Sequence, residues 1–184
     1  MDGLREKAKR TMTTVKDIDI LLVEDDPSDI ELTIFSLKEN NLATAVYVAE
    51  DGKEALDFIF CCGKHEGRSL ADRPKLIVLD LKLQHEADGL EVLKAIRSDD
   101  RTKAIPVVIL TSSKERGHVI EGYKAGASAF IQKPVDFDHY RKTIKEIGTF
   151  WLVVNQSPPA EVFGIASPVE VPADIASWNR RAEI

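Results

Sequence analysis

The segment Lys75-Leu76-Ile77-Val78-Leu79-Asp80 constrains this chain more than any other. Four consecutive apolar residues without polar alternation read as a strand buried on both faces, the pattern of a parallel sheet covered on each side by helices. Asp80 then stands at the carboxyl end of that strand. In an open α/β sheet ligands gather in the crevice outside the strands' carboxyl ends, so an acid placed there is a functional candidate, with a helix cap or a loop acid as the plainer alternative. The other strands decide between the two.

Residues 18–23 form a first apolar run that also ends in acid, Glu24-Asp25-Asp26, before Pro27. Pro27 suits the first turn of a helix with Asp26 as its cap, which leaves Glu24 and Asp25 without a structural task. Ile30, Ile34 and Leu37 mark the apolar face of that helix. A second strand is predicted at 44–49, followed by a helix whose apolar side is Ala55, Leu56, Ile59 and Phe60. Residues 63–74 form a long polar connection with His65, Arg68 and Arg73, of a length that is either functional or plain solvated chain. After Asp80 a loop runs to Gly89 and a helix carries Leu90, Val92, Leu93 and Ile96. A fourth strand at 106–110 ends at Thr111-Ser112-Ser113. Val119, Ile120 and Tyr123 give the next helix a buried face, and Gly126 closes it. The fifth strand, 127–131, runs to Gln132-Lys133-Pro134, and a last helix begins near Asp136.

Five strands alternating with five helices predict a doubly wound α/β sandwich, with a five-stranded parallel sheet in the order 2-1-3-4-5. In that order one crevice collects Glu24, Asp25, Asp80, Thr111 and Lys133. Clustered carboxylates repel one another and raise at least one pKa unless a cation is present. Mg²⁺ is the natural cation, because it takes hard oxygen ligands and is held by one or two carboxylates plus a phosphate. Beside it Asp80 becomes a nucleophile able to form an aspartyl-phosphate. Phosphoryl transfer needs positioning and charge stabilisation, for which Lys133 offers a second positive charge and Thr111 a hydroxyl donor. Each residue has a bland role open to it: surface lysine, strand-end hydroxyl, cap-region charge. Four such residues on adjacent strand ends favour the joint functional reading.

The remaining composition narrows the class. At 184 residues the chain suits one domain with a tail. Thirty-one acidic against twenty-five basic residues, a net charge of −6, argue against nucleic acid, whose binding rests on neutralised phosphates. The two cysteines are the adjacent Cys61 and Cys62, which give no spaced disulfide framework and no zinc spacing. No apolar stretch approaches a membrane span and the first residues lack the apolar core of a signal peptide, so a cytoplasmic location is expected.

The motifs LLVEDDP around Asp25, LIVLDLKL around Asp80, PVVILTSS around Thr111 and FIQKP around Lys133 resemble the receiver domains of two-component response regulators, over about residues 17–150. The resemblance implies a flavodoxin-like fold and phosphorylation of Asp80 by a sensor histidine kinase or a histidine phosphotransfer protein. It implies Mg²⁺ held by Glu24, through water, by Asp25, by Asp80 and by the backbone carbonyl of Lys82. Thr111 and Lys133 bind the phosphoryl group, and the Lys133–Pro134 bond is cis in the family. Phe130 takes the aromatic switch position, turning inward as Thr111 moves; a plain core aromatic is the alternative, and without a hydroxyl it works by packing alone. Lys82 and Ser113 stand where the family tunes the lifetime of the phosphate. Two departures bear on the loop after Asp80: Gln84 stands where most members have proline, and Gly89 lies one residue farther from the acceptor.

The chain is thus expected to divide into a charged N-terminal arm at 1–16, with Met12 as an alternative start, a receiver domain with an extended last helix at 17–154, and a proline-containing tail at 155–184. Phe137, Tyr140, Ile144, Ile147, Trp151 and Val154 continue a 3-4-3-4-3 spacing beyond what a sheet-covering helix needs. Phe150, Trp151 and Leu152 at its end predict a homodimer contact, against a fold-back onto the same domain. That aromatic end and the long loop before Asp80 resemble the lone receivers that serve bacterial phytochromes. Trp178, near Arg180 and Arg181, is either docked or solvated. Two other classes fit the sequence less well. A magnesium-dependent hydrolase would carry its nucleophile in a D-x-D pattern at the end of the first strand, whereas Asp17-Ile18-Asp19 lies at its beginning. An interaction module without phosphorylation would be expected to lack an acid, the acceptor or the lysine, and none is missing.

Overall fold

A computed structural model describes residues 18–42, 45–83 and 88–164. The expected N-terminal arm, Asp17, Thr44, Gln84 and the tail beyond Gly164 with Trp178, Arg180 and Arg181 lie outside those residues. The elements run β1 (Ile20–Val23), α1 (Pro27–Glu39), β2 (Val46–Ala49), α2 (Gly52–Ile59), β3 (Leu76–Leu79), α3 (Gly89–Ser98), β4 (Val107–Thr111), α4 (Arg116–Lys124), β5 (Ala129–Gln132) and α5 (Phe137–Gly148). The strands form one parallel sheet in the order β2-β1-β3-β4-β5, as the alternation of apolar runs and helical stripes requires. Among the described residues no helix is long and apolar enough to cross a membrane.

Because β1 and β3 are apolar at every position and β4 at all but its last, Thr111, each supplies both faces of the sheet. Leu21, Val23, Ile77, Leu79, Val107 and Ile109 point to one side, where α2 and α3 bring Leu56, Phe60, Val92, Leu93 and Ile96. Ile20, Leu22, Leu76, Val78, Val108 and Leu110 point to the other, where Leu37 of α1 and Tyr140, Ile144 and Ile147 of α5 close the layer. α1 begins as expected: Asp26 caps it by accepting from the Ser28 and Asp29 amides, with Pro27 at the first turn. A buried hydrogen bond of 2.8 Å joins Thr33 of α1 to the Tyr140 hydroxyl of α5.

Three local expectations change. α4 does not bury Val119, Ile120 and Tyr123; the last two are exposed and Gly122 is the residue that packs down. A side chain at 122 would meet Ile109 Cδ1 at 2.8 Å and the Phe130 ring at 3.1 Å, so the absent Cβ lets α4 lie on β4 and β5. The connection 63–74 is packed rather than solvated. It makes two 3₁₀ turns, Gly63–His65 and Leu70–Asp72, pinned by Arg68, which donates to the Phe58 and Asp72 carbonyls and lies 3.6 Å over the Phe58 ring. His65 is buried edge-on against Tyr47 and Phe58, with Nε2 3.1 Å from the Tyr47 hydroxyl.

The third change concerns the end of the chain. The extended last helix is α-helical to Gly148 and continues as a π-helical segment, Thr149–Val154. Trp151 and Leu152 are half-buried against the α1–α5 layer, while Phe150, Val153 and Val154 are exposed. Residues 155–164, expected to begin an extended tail, return to the domain. A 3₁₀ turn at Ala160–Phe163 places Phe163, only 2% exposed, in the α2–α3 layer, with the Arg73 guanidinium 3.6 Å from its ring. Burial of a whole aromatic ring outweighs the preference of a proline-interrupted segment for solvent. Replacing Phe163 by alanine should therefore lower unfolding free energy by about 3–5 kcal/mol, read from the urea midpoint; a loss within error would show that the turn rests on the surface.

Candidate functional site

β1 and β3 are neighbours, but the chain leaves β1 for β2 on one side and returns to β3 on the other, so a crevice opens at their carboxyl ends. The pairing of Val23 with Leu79 brings the next residues, Glu24 and Asp80, side by side. Both carboxylates are buried, 2% and 4% exposed. Lys133 follows β5 and is tied to β4 by its amide, which donates to the Thr111 carbonyl at 2.8 Å. From there its ammonium donates to Glu24 Oε2 at 2.6 Å, to Asp80 Oδ2 at 2.7 Å and to Asp29 Oδ2 at 2.7 Å. Three protons meet three carboxylates.

The other oxygen of Asp80, Oδ1, accepts the Lys82 amide at 3.0 Å, and Glu24 Oε1 accepts the Asp26 amide at 3.2 Å. Asp25 is half-buried at the end of β1. Burial pushes the Glu24 carboxyl up to about 7, outweighing the bond and charge of Lys133, which act the other way. Burial by itself would lower the Lys133 pKa, but Asp29, Asp80 and Glu24 together hold it well above the ordinary lysine range. The ammonium is permanently charged.

Thr111 is fully buried at the end of β4, its Oγ1 accepting the Ser113 amide at 3.3 Å. Ser113 Oγ lies 2.6 Å from His118 Nδ1 at the start of α4. Phe130 is half-buried in β5 beneath Gly122. Gly89 closes the loop after Asp80 although it stands one residue farther along than the family pattern. A Cβ at 89 would lie 2.1 Å from the Asp80 carbonyl oxygen, and its amide donates to the Leu81 carbonyl at 3.3 Å. The Asp80 backbone thus rests directly on the start of α3, which only glycine permits.

The structure brings together Glu24, Asp80 and Lys133 as the strand ends predict, and leaves Lys82 exposed with its amide on Asp80. It adds Asp29, which the strand-end pattern does not include. The peptide bond between Lys133 and Pro134 is trans, like every other among the described residues, against the expectation of cis. A proline amide favours trans by about 0.5–1 kcal/mol, and the ammonium reaches all three acids from that geometry. No three His, Cys, Asp or Glu side chains among the described residues form a ready metal cage. The donor set nevertheless fits Mg²⁺, which needs few carboxylates and keeps its waters, since two buried carboxylates and the half-buried Asp25 stand together at the strand ends.

Glu24 supplies a pH test. Its folded pKa of about 7 lies above the usual 4.5, so the stability it contributes in the protonated form is complete below 4.5 and lost as pH rises through 7. In metal-free buffer Glu24→Gln should gain stability relative to wild type across that window, by at most about 1.4 kcal/mol per pH unit, read from urea midpoints. A pH-independent difference would place the Glu24 pKa at its ordinary value.

Residues 20–145 match the family described as response regulator receiver domain. The chain is 36% identical over 141 residues to the probable methanogenesis regulatory protein FilR2 of Methanothrix harundinacea, covering 76% of this chain and 86% of that protein. It is 35% identical over 141 residues to response regulator Rcp1 of Synechocystis sp., covering 77% and 93%. The crystal structure of Mn²⁺-bound Rcp1 has a TM-score of 0.71 at 34% identity, covering 77% of this chain and 99% of that one. The phosphorylated cyanobacterial phytochrome response regulator RcpA gives a TM-score of 0.72 at 34% identity, covering 78% and 99%. With the family match spanning most of the described residues and the strand-end acids and lysine assembled at the crevice, the chain belongs to the response regulator receiver family.

Proposed function

We propose that Asp80 accepts a phosphoryl group from a phosphohistidine of a sensor kinase or phosphotransfer protein, and that the chain signals by the change this causes. The observation that carries the reading is the buried Asp80 carboxylate, held at one oxygen by the Lys82 amide and at the other by the Lys133 ammonium. One carboxylate oxygen forms the new O–P bond as the donor's N–P bond breaks, leaving an acyl phosphate on Asp80. Glu24, through water, Asp25, Asp80 and the Lys82 carbonyl would hold Mg²⁺, which supplies charge neutralisation for the transferred oxygens. Lys133 stands ready on the acceptor for one phosphoryl oxygen, and Thr111 takes another by turning its hydroxyl from the Ser113 amide. As Thr111 moves, Phe130 turns inward, so phosphorylation biases a two-state surface. The Mn²⁺-bound Rcp1 and phosphorylated RcpA relatives support the metal and the acceptor. The phytochrome designation of RcpA supports a phytochrome-type kinase as the donor. The family role is signalling, with turnover confined to the protein's own phosphate, in a cytoplasmic setting.

Incubation with a small phosphodonor and Mg²⁺ should add one phosphoryl mass to wild type and none to Asp80→Asn. No gain in folded wild type would turn the reading to an interaction module of receiver fold.

The homodimer is proposed through the outward part of the π-helical end. Phe150 and its neighbours Val153 and Val154 are exposed, while Trp151 and Leu152 serve as the platform beneath them. Sedimentation should show a dimer that Phe150→Glu converts to monomer; an unchanged sedimentation coefficient would assign this apolar end to another partner.

A further inference from the structure

Lys133 draws on the same acids that are proposed to serve Mg²⁺. Glu24 and Asp80, the acids proposed above to serve the divalent ion, are the ones that accept from the ammonium at 2.6 and 2.7 Å. Two cations on shared oxygens repel strongly in a buried site. The Lys133 side chain is only 8% exposed, so water does not take the ammonium over. The third carboxylate is Asp29, which is 31% exposed at the rim. Asp29 has a fixed seat: its amide is capped by Asp26 at 3.1 Å, and one turn farther Thr33 is bonded to Tyr140.

We infer that Asp29 is a positioning residue that keeps the Lys133 ammonium when a divalent cation takes Glu24 and Asp80, so that cation and lysine occupy the site together. The inference rests on the metal reading of this site. Neutral asparagine at 29 preserves the size and the capped amide but removes the resting place, and the ammonium then stays on the metal acids and opposes the ion.

The test uses the full chain and Mn²⁺, with free ion counted by electron paramagnetic resonance. Asp29→Asn should weaken Mn²⁺ binding about ten-fold with Lys133 present and no more than about three-fold in a Lys133→Met background. A loss equal or larger without Lys133 would make Asp29 a direct ligand or a simple field source, and overturn the inference. Absence of Mn²⁺ binding by wild type would instead remove the metal reading, and the inference with it. Should Lys133→Met fail to fold, ¹⁵N-lysine spectra of the other two proteins decide. With Mg²⁺ bound, the Lys133 ammonium protons should stay protected from water exchange in wild type and lose that protection in Asp29→Asn; equal protection in both overturns the inference.

Discussion

The architecture depends on one buried cation. Lys133 sets three protons against three carboxylates drawn from β1, α1 and the end of β3. Without it, two acids with almost no solvent access would face each other across adjacent strands, at a cost of several kcal/mol. The sheet order makes that confrontation unavoidable, because pairing β1 with β3 in register delivers Glu24 and Asp80 to the same level. The crevice is therefore a repulsive arrangement of acids held by a lysine.

The surroundings of that arrangement are uneven. Lys133 is tied through its amide to Thr111, so the lysine and the hydroxyl are presented by a single ladder step between β4 and β5. Below Asp80 the chain has little freedom, since Gly89 is pressed against the acceptor's carbonyl. Above it, α4 is lightly seated through Gly122 with its larger apolar residues outward. The tightly and the lightly packed sides of the crevice are thus distinct.

Much of this was legible in the sequence, because a strand buried on both faces cannot hide its polar terminus. The sheet order and Glu24, Asp80, Thr111 and Lys133 follow from apolar runs that stop on polar residues. Asp29 was missed for a physical reason: acids in a first helical turn ordinarily answer the helix dipole and need no further explanation. A signal was present, since Asp29, Thr33 and Leu37 recur every fourth residue and share the face that α1 turns to the sheet. The orientation of α4 was misread because apolar residues at helical spacing imply a buried stripe, whereas here the glycine between them makes the approach. Phe163 was hidden by its prolines, which predict irregular chain but say nothing of whether that chain is docked.

The docking of Phe163 separates two boundaries that are easily taken as one. The family match stops at residue 145, yet Trp151, Leu152 and Phe163 fill the layers of the same domain, and Arg73 of the distant loop stacks on the last of them. The matched region is thus shorter than the packed unit. An effector joined in-frame at the end of the family match would open a hole on the α2–α3 side, whereas one joined after Gly164 would inherit a sealed domain.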